Sequence, residues 1–570
     1  MYSSWIFSLF LAGSMAAVSS SAPVVDRPNL LPVAGFDDFD GSAPRGWTVS
    51  SWNQEFLKER FGKGIPGRGD TGFCLEMKEG SGASIIQFSA PVIAVDGDAT
   101  YFFKGYYASA CEKVAVKGDW LDKNGKTLSS FEILLPDTQD QWIHFLKQLS
   151  SPVLAQQLRL VIERKWQSRH VRFDDFSLRQ GTVADYAHEF DLPDPSSAEP
   201  WFPIFSILQP SAEDQEQMLD YVLANFNVSL NPMIGLRYHP GLPKAFQIPS
   251  QASQAAAPTE EDTKALLTMD QDPTVWAYWG GDEPHEPAFQ GIGQQQQKLR
   301  DAGVTKPLWY NLLPTYGLKS YEAYEHHVRT YLVTVKPTFF TYDHYPLHVG
   351  NKSYGRDFYA NLVIVRRQAR AHNIDWGVIL LVVAHGGLRS PNEAELRWQA
   401  YSGLAYGAKA IGWFTYVTEV EYGGLNWRDA VVNRAGHRTR HYSMLKRLNG
   451  DIQQIGKTLI GLQSTGAYHT RPLPELTTSI TESKLIRSTA GGPLVIGEFL
   501  DDHERPYFMV VNRDFNAPAT ATIVLSHPAA AVWEYSKTTG ASFVVRRYDA
   551  KSRSLTVELA PGDGRLFRLQ

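Results

Sequence analysis

Residues 276–285 read WAYWGGDEPH, and this stretch decides how the middle of the chain is expected to fold. An aromatic run typical of a strand ends in two glycines, and the adjacent carboxylates Asp282 and Glu283 follow before Pro284. Amphipathic helical patterns separate it from other apolar strands at residues 202–208, 228–236, 307–313, 338–346, 376–385 and 410–416. Near-continuous apolar strands that alternate with helices predict a parallel sheet buried on both faces.

These segments give seven strands, and the natural closed form of such an alternation is the eight-stranded (β/α)8 barrel. We predict this TIM barrel for residues 200–463, with the short AFQI run at residues 245–248 as its third strand. WAYWGG is then the fourth strand, and the strands at 338–343, 376–385 and 410–416 are the sixth, seventh and eighth. Because barrel enzymes carry their chemistry at the C-terminal ends of the strands, Asp282 and Glu283 are expected at an active site.

Two β-rich regions flank the predicted barrel. Short alternating runs separated by turn residues, such as DKNGK at 122–126, predict a β-sandwich of the jelly-roll type for residues 23–185. Alternating runs after residue 464 predict a small antiparallel β-sandwich for residues 464–570. The fold class is therefore multidomain, with the barrel between two all-β regions.

The first 22 residues resemble a secretory signal, because an apolar run from Trp5 to Leu11 precedes a series of small residues. This predicts a secreted or periplasmic protein, although the segment lacks a Lys or Arg near its start. No later apolar run approaches the roughly 20 residues needed to span a bilayer. We therefore predict no membrane span.

The composition limits the classes of molecule that this protein is expected to bind. A net charge of −5 and the absence of any Lys/Arg run argue against a nucleic-acid partner. Aromatic residues make up 12% of the chain; large cores bury many rings, and flat rings also pack on the C–H faces of sugars, so a carbohydrate partner is expected. No phosphate-binding glycine loop, dinucleotide fingerprint or G-x-S-x-G motif is present, and no cofactor is expected for catalysis.

The ends of the N-terminal region carry NLLPVAGFDDF at residues 29–39 and VRFDDFSL at residues 171–178. With Gly46 and Trp47, these motifs resemble secreted carbohydrate-binding jelly rolls of the cellulose-binding type. The resemblance implies a structural calcium with Asp37 and Asp174 or Asp175 as ligands, since hard cations prefer carboxylate oxygens. Solvated turn aspartates are the alternative reading.

Cys74 and Cys111 are the only cysteines, and both lie in the predicted N-terminal sandwich. An oxidising compartment favours a disulfide between them, and two buried thiols on separate strands are the alternative.

Hydrolysis of a glycosidic bond generally needs two carboxyl groups, one protonated and the other ionised. Glu283 is predicted as the general acid/base, because aromatic surroundings favour a protonated carboxyl group near neutral pH. Asp282 is expected to point away from Glu283 in an extended backbone and to bind a sugar hydroxyl. A helix N-terminus that favours acidic residues is the alternative explanation of the DEP motif.

The predicted barrel resembles the clan A glycoside hydrolases, in which the acid/base glutamate ends strand four and the nucleophile glutamate ends strand seven. Glu283 matches the first position, whereas strand seven ends in AHGG, with His385 where a glutamate is expected. Asp343, at the end of strand six, is the predicted substitute as nucleophile or base. It starts roughly 10 Å from Glu283 at the backbone, which leaves both the retaining and the inverting mechanism open.

Other polar and aromatic residues near strand ends form the predicted lining of a sugar cleft. The predicted substrate-binding residues are Asp282, Trp279, Tyr310, Asn311, Tyr342, His344, Tyr345, His385, Trp413, Tyr416, Arg237 and His239.

The sequence thus predicts a secreted glycoside hydrolase that acts on a poly- or oligosaccharide, with the sugar and linkage open. Two rivals remain: a non-catalytic polysaccharide-binding protein with a degenerate barrel, and a polysaccharide lyase that uses a Tyr/His pair near Tyr342 and His385.

Overall fold

The computed structural model describes residues 27–32, 35–40, 43–51, 61–64, 74–78, 85–111, 113–165, 169–186, 200–210, 214–230, 244–247, 260–272, 275–350, 356–421 and 423–570. The predicted signal segment, most of the linker before residue 200, and the positions Arg237 and His239 lie outside these residues. Within the described part of the chain, no helix is both long and apolar enough to cross a membrane.

The N-terminal region is a β-sandwich, as its alternating pattern predicts. Its strands are β1 Phe39–Asp40, β2 Ala43–Pro44, β3 Thr48–Ser51, β4 Phe61–Gly64, β5 Cys74–Met77, β6 Ile86–Ser89, β7 Ile93–Ala94, β8 Thr100–Ser109, β9 Val114–Leu121, β10 Thr127–Leu135, β11 Ile143–Ser150, β12 Gln157–Arg164 and β13 Val171–Gln180. One antiparallel sheet has the order β10-β9-β12-β6-β3, with β7 beside β12, and the other has the order β11-β8-β13-β5-β4. Trp120 from the first sheet and Phe103 and Phe145 from the second share one buried core.

Both cysteines of this sandwich are buried free thiols, so the disulfide favoured for an oxidising compartment is not formed. The Sγ of Cys111 donates instead to the backbone carbonyl of Arg169, at 2.7 Å. Burial raises the pKa of the Cys74 thiol to about 12, which keeps it protonated and unreactive.

Two of the aspartates proposed as calcium ligands approach the same space. A Cβ atom added to Gly35 would lie 3.2 Å from Asp37 Oδ2 and 3.9 Å from Asp175 Oδ1. Asp174 accepts the N–H of Asp175, at 2.8 Å. No group of three or more acidic, His or Cys side chains suited to a metal ion gathers in the described ranges. Two carboxylates alone do not complete the six to eight oxygens that calcium takes, and a calcium ion here stays a prediction.

The middle of the chain alternates strands and helices. Its strands are β14 Ile204–Ile207, β15 Lys244–Gln247, β16 Val275–Asp282, β17 Leu308–Leu312, β18 Phe339–Asp343, β19 Asp375–Leu381 and β20 Ile411–Phe414. Its helices are α2 Gln215–Leu223, α3 Glu260–Asp270, α4 Glu286–Asp301, α5 Tyr321–Val335, α6 Arg356–His372, α7 Glu393–Ala405 and α8 Arg440–Leu459, and the single turn α1 Val183–Tyr186 precedes them.

These strands form one parallel sheet with the order β14-β20-β19-β18-β17-β16-β15. The first strand pairs with the last, as the ends of a closed barrel do. The predicted third strand is confirmed, since β15 pairs directly with β16. The strand predicted at residues 228–236 would lie between β15 and β14 and falls mostly outside the described residues, so closure of the barrel stays a prediction.

The N-terminal sandwich packs directly on this parallel-sheet region. Phe102 and Leu146, on the outer face of the β8–β11 pair, are buried against Tyr186 of α1 and Leu219 of α2. Arg438, whose side chain is 8% exposed, pairs with Asp220 of α2 and donates to the backbone carbonyl of His144 on β11. This part of the sandwich face is therefore covered by protein.

The C-terminal region is a second antiparallel sandwich, as predicted. Its strands are β21 Gln463–His469, β22 Thr478–Ser479, β23 Ile486–Ala490, β24 Leu494–Leu500, β25 Pro506–Asn512, β26 Ala519–Leu525, β27 Val532–Tyr535, β28 Ser542–Val544, β29 Tyr548–Asp549, β30 Ser554–Leu559 and β31 Gly564–Leu569. They form the sheets β22-β21-β24-β25-β31-β27-β28 and β23-β26-β30-β29. Gly497 on β24 lies so close to α7 that an added Cβ would be 2.0 Å from the carbonyl oxygen of Ala405.

Candidate active site

Three neighbouring strand ends bring two carboxylates onto one amide. The register of the sheet places Asp282 beside Asn311, and Asn311 beside Thr341. Asn311 Nδ2 donates to Asp282 Oδ1 at 2.9 Å and to Asp343 Oδ1 at 3.0 Å. Thr341 Oγ1 donates to Asn311 Oδ1 at 2.9 Å, which fixes the amide with its N–H groups toward the acids. The two carboxylate oxygens, bound to one nitrogen, are at most about 6 Å apart.

Glu283 joins this group because the backbone turns sharply at the strand end. Glu283 has a φ of 42°, in the left-handed region, and its N–H donates to the carbonyl of Asn311 at 2.8 Å. The extended backbone expected for the pair therefore ends at Asp282, the last residue of β16, and Glu283 lies outside it. Neither acid caps the following helix, since the N-cap of α4 is His285. We call Asp282, Glu283 and Asp343 the acid cluster.

The acid cluster extends from exposed side chains to a buried one. Asp282 and Glu283 are exposed, whereas Asp343 is only 6% exposed. Neighbouring groups still remove part of the solvent around an exposed carboxylate. This arrangement leaves Glu283 accessible to a substrate and keeps Asp343 away from bulk water.

Every member of the acid cluster is harder to ionise than a free side chain. Burial and the charge of Asp282 raise the pKa of Glu283 to about 7. Burial and the charges of Glu283 and Asp282 raise the pKa of Asp343 well above its usual value, against hydrogen bonds from Asn311 and Tyr345. Burial also raises the pKa of Asp282, which Asn311 and the Glu283 N–H oppose.

Hydrogen-bond donors favour the charge on one acid over the other. Two acids that raise each other's pKa titrate as a pair and share protons. Asp343 accepts from Asn311 and from the Tyr345 hydroxyl, and both bonds favour its ionised form. Within the described residues, no donor of this kind reaches the Glu283 side chain. These two bonds favour the negative charge on Asp343, whereas burial and the neighbouring carboxylates oppose it there, so the pair shares its protons.

Several predicted substrate-binding residues point into the helix layer and do not contact the cleft. Side chains alternate along a strand, so the neighbours of the inward-facing Asn311, Asp343 and Gly412 face outward. Tyr310 donates to Gln295 of α4 at 3.2 Å, and Trp413 donates to Asn449 of α8 at 3.0 Å. The buried residues for which substrate contact is not supported are Tyr310, Tyr342, His344, Trp413 and Tyr416.

Asn311 is also a positioning residue and not a substrate ligand. It is 3% exposed, and its amide is committed to Asp282, Asp343 and Thr341. Both N–H groups and the carbonyl thus have partners within the protein, which leaves the amide to hold the acids in place.

The remaining predicted residues are at or near the cleft. Tyr345 is half-buried, bonds to Asp343 through its hydroxyl, and stacks on Phe414 with the ring centroids 5.2 Å apart. His385 is half-buried and stacks on Trp427, with the ring centroids 4.3 Å apart. Trp279 packs edge-on against Trp309 in the sheet interior.

The end of strand seven has no carboxylate, as the sequence indicates. β19 ends at Leu381, and the following residues to Ala384 are apolar and buried. His385 lies four residues past the strand end, with Nδ1 3.2 Å from the carbonyl oxygen of Val383. The departure from the clan A pattern therefore holds in the structure.

The sequence reasoning missed Tyr316, which lies on a 3₁₀ turn, Thr315–Gly317, after β17. Tyr316 is 53% exposed, and its ring packs edge-on against His344, with centroids 5.2 Å apart. It also missed Trp427, in the loop after β20. A search extended about five residues beyond each strand end would have found Tyr316, whereas nothing in the sequence places Trp427 beside His385.

Comparisons with known proteins place two glycoside hydrolases among the similar structures. No protein-family model and no curated protein matches the chain. The CBM22-1-GH10 modules of Clostridium thermocellum endo-1,4-β-D-xylanase 10B, complexed with xylohexaose, are 11% identical, and the match covers 74% of this chain and 96% of that chain with a TM-score of 0.31. The arabinose-bound MgGH51 α-L-arabinofuranosidase is 10% identical, with 95% and 94% covered and a TM-score of 0.31.

A third match is the enzymatically active domain of bacteriophage CBA120 tailspike protein 4, which is 12% identical with a TM-score of 0.23. That match covers 27% of this chain and 21% of that chain, so this chain spans about a fifth of the tailspike's length. Likenesses this distant do not establish an activity, and the function proposed below rests on the acid cluster.

Proposed function

We propose that the chain is a glycoside hydrolase in which Glu283 is the general acid/base and Asp343 the second carboxylate. The observation that carries the proposal is the acid cluster itself. Glu283 is exposed and its pKa is raised to about 7, and the buried Asp343 accepts hydrogen bonds from two donors that favour its ionised form. The proposal assigns the proton to Glu283 and the charge to Asp343, which are the two opposite protonation states that glycoside hydrolysis requires.

In the proposed reaction, Glu283 donates its proton to the glycosidic oxygen as the bond from that oxygen to the anomeric carbon breaks. Asp343 either attacks the anomeric carbon, which gives a covalent intermediate and retention, or deprotonates a water that attacks it, which gives inversion. Asn311 keeps Asp343 in place during this step. The configuration of the first product therefore identifies the role of Asp343.

The lyase alternative needs a Tyr/His pair near Tyr342 and His385. Tyr342 itself is buried in the helix layer with its ring against Trp376, and burial raises the pKa of its hydroxyl. Tyr345 is the tyrosine that meets His385, with the ring centroids 6.1 Å apart, but its hydroxyl bonds to Asp343, which favours the hydrolase. The binding-protein alternative shares the same cleft and differs from the proposal only in turnover.

The direct test is a panel of neutral oligo- and polysaccharides with detection of reducing ends and NMR of the first product. Glu283→Gln and Asp343→Asn should each lower kcat by about 10²–10⁴-fold, the usual contribution of a general acid or base. Glu286→Gln is the matched control, because Glu286 is an exposed acid three residues away that contacts His326 and His327 instead. Glycan binding without turnover in the wild type would support the binding protein and refute the hydrolase.

Export is part of the proposal, because the first 22 residues resemble a secretory signal. Mass spectrometry of the N-terminus of the extracellular protein should find a chain that starts between residues 17 and 23. An intact Met1 on the exported protein would contradict it.

A further inference from the structure

An exposed aromatic ring lies beside the acid cluster. Among the large apolar side chains exposed in the described part of the chain, two are aromatic: Tyr316, at 53%, and Phe543, at 47%. Phe543 is on β28 of the C-terminal sandwich, whereas Tyr316 follows β17, the strand that carries Asn311. An exposed aromatic ring forgoes the stabilisation that burial would give it. The exposure of Tyr316 next to the acid cluster therefore indicates that its ring contacts a ligand.

The Tyr316 ring is held in place before any ligand arrives. The N–H of Thr315 donates to Asn361 Oδ1 at 2.8 Å, and Gly317 N donates to the carbonyl of Pro314 at 2.9 Å. The Tyr316 ring rests edge-on against His344, which itself lies 3.1 Å from the same Asn361 oxygen. One buried asparagine therefore fixes both the turn and the ring below it, and a ligand loses little entropy in ordering Tyr316.

The two ends of Tyr316 have different surroundings. Burial and then the charges of Asp343 and Glu283 raise the pKa of its hydroxyl, and the backbone N–H of Tyr345 opposes this rise. Its ring packs against His344, the residue after Asp343, while the residue as a whole is 53% exposed. A flat apolar face next to a carboxylate pair suits a pyranose, whose C–H face packs on an aromatic ring while its glycosidic oxygen meets the acid.

We infer that Tyr316 is the stacking platform for a pyranose ring of the substrate, next to the bond that Glu283 and Asp343 cleave. This inference rests on the proposed function and adds a specificity-determining residue to it. The platform selects sugars that present an unsubstituted C–H face. Its contribution belongs to binding, because the ring touches the sugar equally before and during bond cleavage.

The test compares Tyr316→Ala, Tyr316→Leu and Tyr316→Phe, with Phe543→Ala as the matched exposed aromatic elsewhere. On the substrate found in the panel, the Ala and Leu variants should raise KM about ten-fold or more with kcat nearly unchanged. Phe should keep the wild-type KM because it retains the ring, and Phe543→Ala should have no effect. Tyr316→Leu keeps apolar volume at the turn, and thermal midpoints check that each variant is folded.

Calorimetry in the Glu283→Gln background separates this inference from the proposed function. If the wild type cleaves a glycan but Tyr316→Leu binds it as tightly as the parent, the platform is refuted and the hydrolase stands. If no glycan is cleaved but binding weakens about ten-fold in Tyr316→Leu, the hydrolase is refuted and the platform stands. An equal loss in Tyr316→Phe would also overturn the inference, because the hydroxyl would then be the active group.

Discussion

Two of the charged clusters in the described part of the chain are arranged in opposite ways. Where the N-terminal sandwich meets α2, Arg438 pairs with Asp220 and donates to the His144 carbonyl. At the strand ends, the three members of the acid cluster lie together, and no Lys or Arg of the described residues forms an ion pair with them. The first arrangement cancels charge and joins two regions. The second concentrates like charge around a single amide, which costs stability and is typical of functional sites.

The pKa values of the two clusters follow this contrast. Burial alone would lower the pKa of Arg438, but the charge of Asp220 outweighs it and the pKa is raised, so the cation is secure. In the acid cluster, burial raises all three pKa values, and neighbouring negative charge raises those of Glu283 and Asp343 further. The Arg438–Asp220 pair thus stabilises the fold, whereas the acid cluster retains protons that a reaction can use.

The largest expected effect is on the paired cluster. Arg438→Met leaves Asp220 buried without its cation, so the free energy of unfolding should fall by about 3–5 kcal/mol. Denaturant unfolding measures the loss, with Arg440→Met, two residues further along the chain, as the control, since Arg440 makes an exposed bond to Ser390. Equal stability of the two variants would show that the Arg438 pair does not join the regions.

The next effect concerns the amide between the acids. Asn311→Ala removes both donors from Asp282 and Asp343, and kcat should fall by about 10–100-fold because the lost bonds are to charged groups. Both acids then become harder to ionise, so the acid limb of the pH profile should move to higher pH. A variant that loses kcat without any movement of that limb would show that Asn311 acts only on the local fold.

Removing the buried acid Asp343 should stabilise the protein at high pH, whereas removing the buried cation Arg438 should destabilise it. The folded protein holds the proton of Asp343 more tightly than the unfolded chain, so ionising Asp343 destabilises the fold as pH rises. Asp343→Asn should therefore have a higher thermal midpoint than the wild type at pH 8. The difference should shrink as the pH falls toward about 4, the usual Asp range. A midpoint lower than the wild type at pH 8 would place Asp343 with the paired, stabilising charges.

The smallest expected effect is a shift in the alkaline limb of the pH profile of kcat. Glu283 must be protonated to act as an acid, so kcat should fall as the pH rises through about 7. Asp282→Asn removes a negative charge that raises this pKa, and the limb should move to lower pH by up to about one unit. A limb that stays in place would mean that Asp282 contributes nothing to the protonation of Glu283.

The pattern of the sequence predicted much of the fold. The runs at 202–208, 307–313 and 338–346 all became parallel strands, because buried strands of such a sheet are apolar on both faces. The degenerate run at 245–248 could be assigned only because the alternation needed a strand there. The strand predicted at 376–385 is shorter than expected, since three apolar residues after Leu381 continue as buried loop.

The site was harder to predict, for two physical reasons. Proximity to a strand end was treated as sufficient, although alternation from Asp343 already places Tyr342 and His344 on the outer side. The second reason is not local. Glu283 adopts its left-handed backbone where its N–H meets the Asn311 carbonyl on the next strand, and no pattern around residue 283 specifies that bond.

The covered face of the N-terminal sandwich has a consequence for protein engineering. Residues 27–186 resemble a detachable module, but Phe102 and Leu146 are buried against Leu219, which belongs to the next region. A fusion protein that contains this segment alone would expose Phe102 and Leu146 to solvent and should aggregate during purification. A segment that extends to Leu223, the end of α2, keeps these two side chains covered and is the better unit for fusion to other proteins.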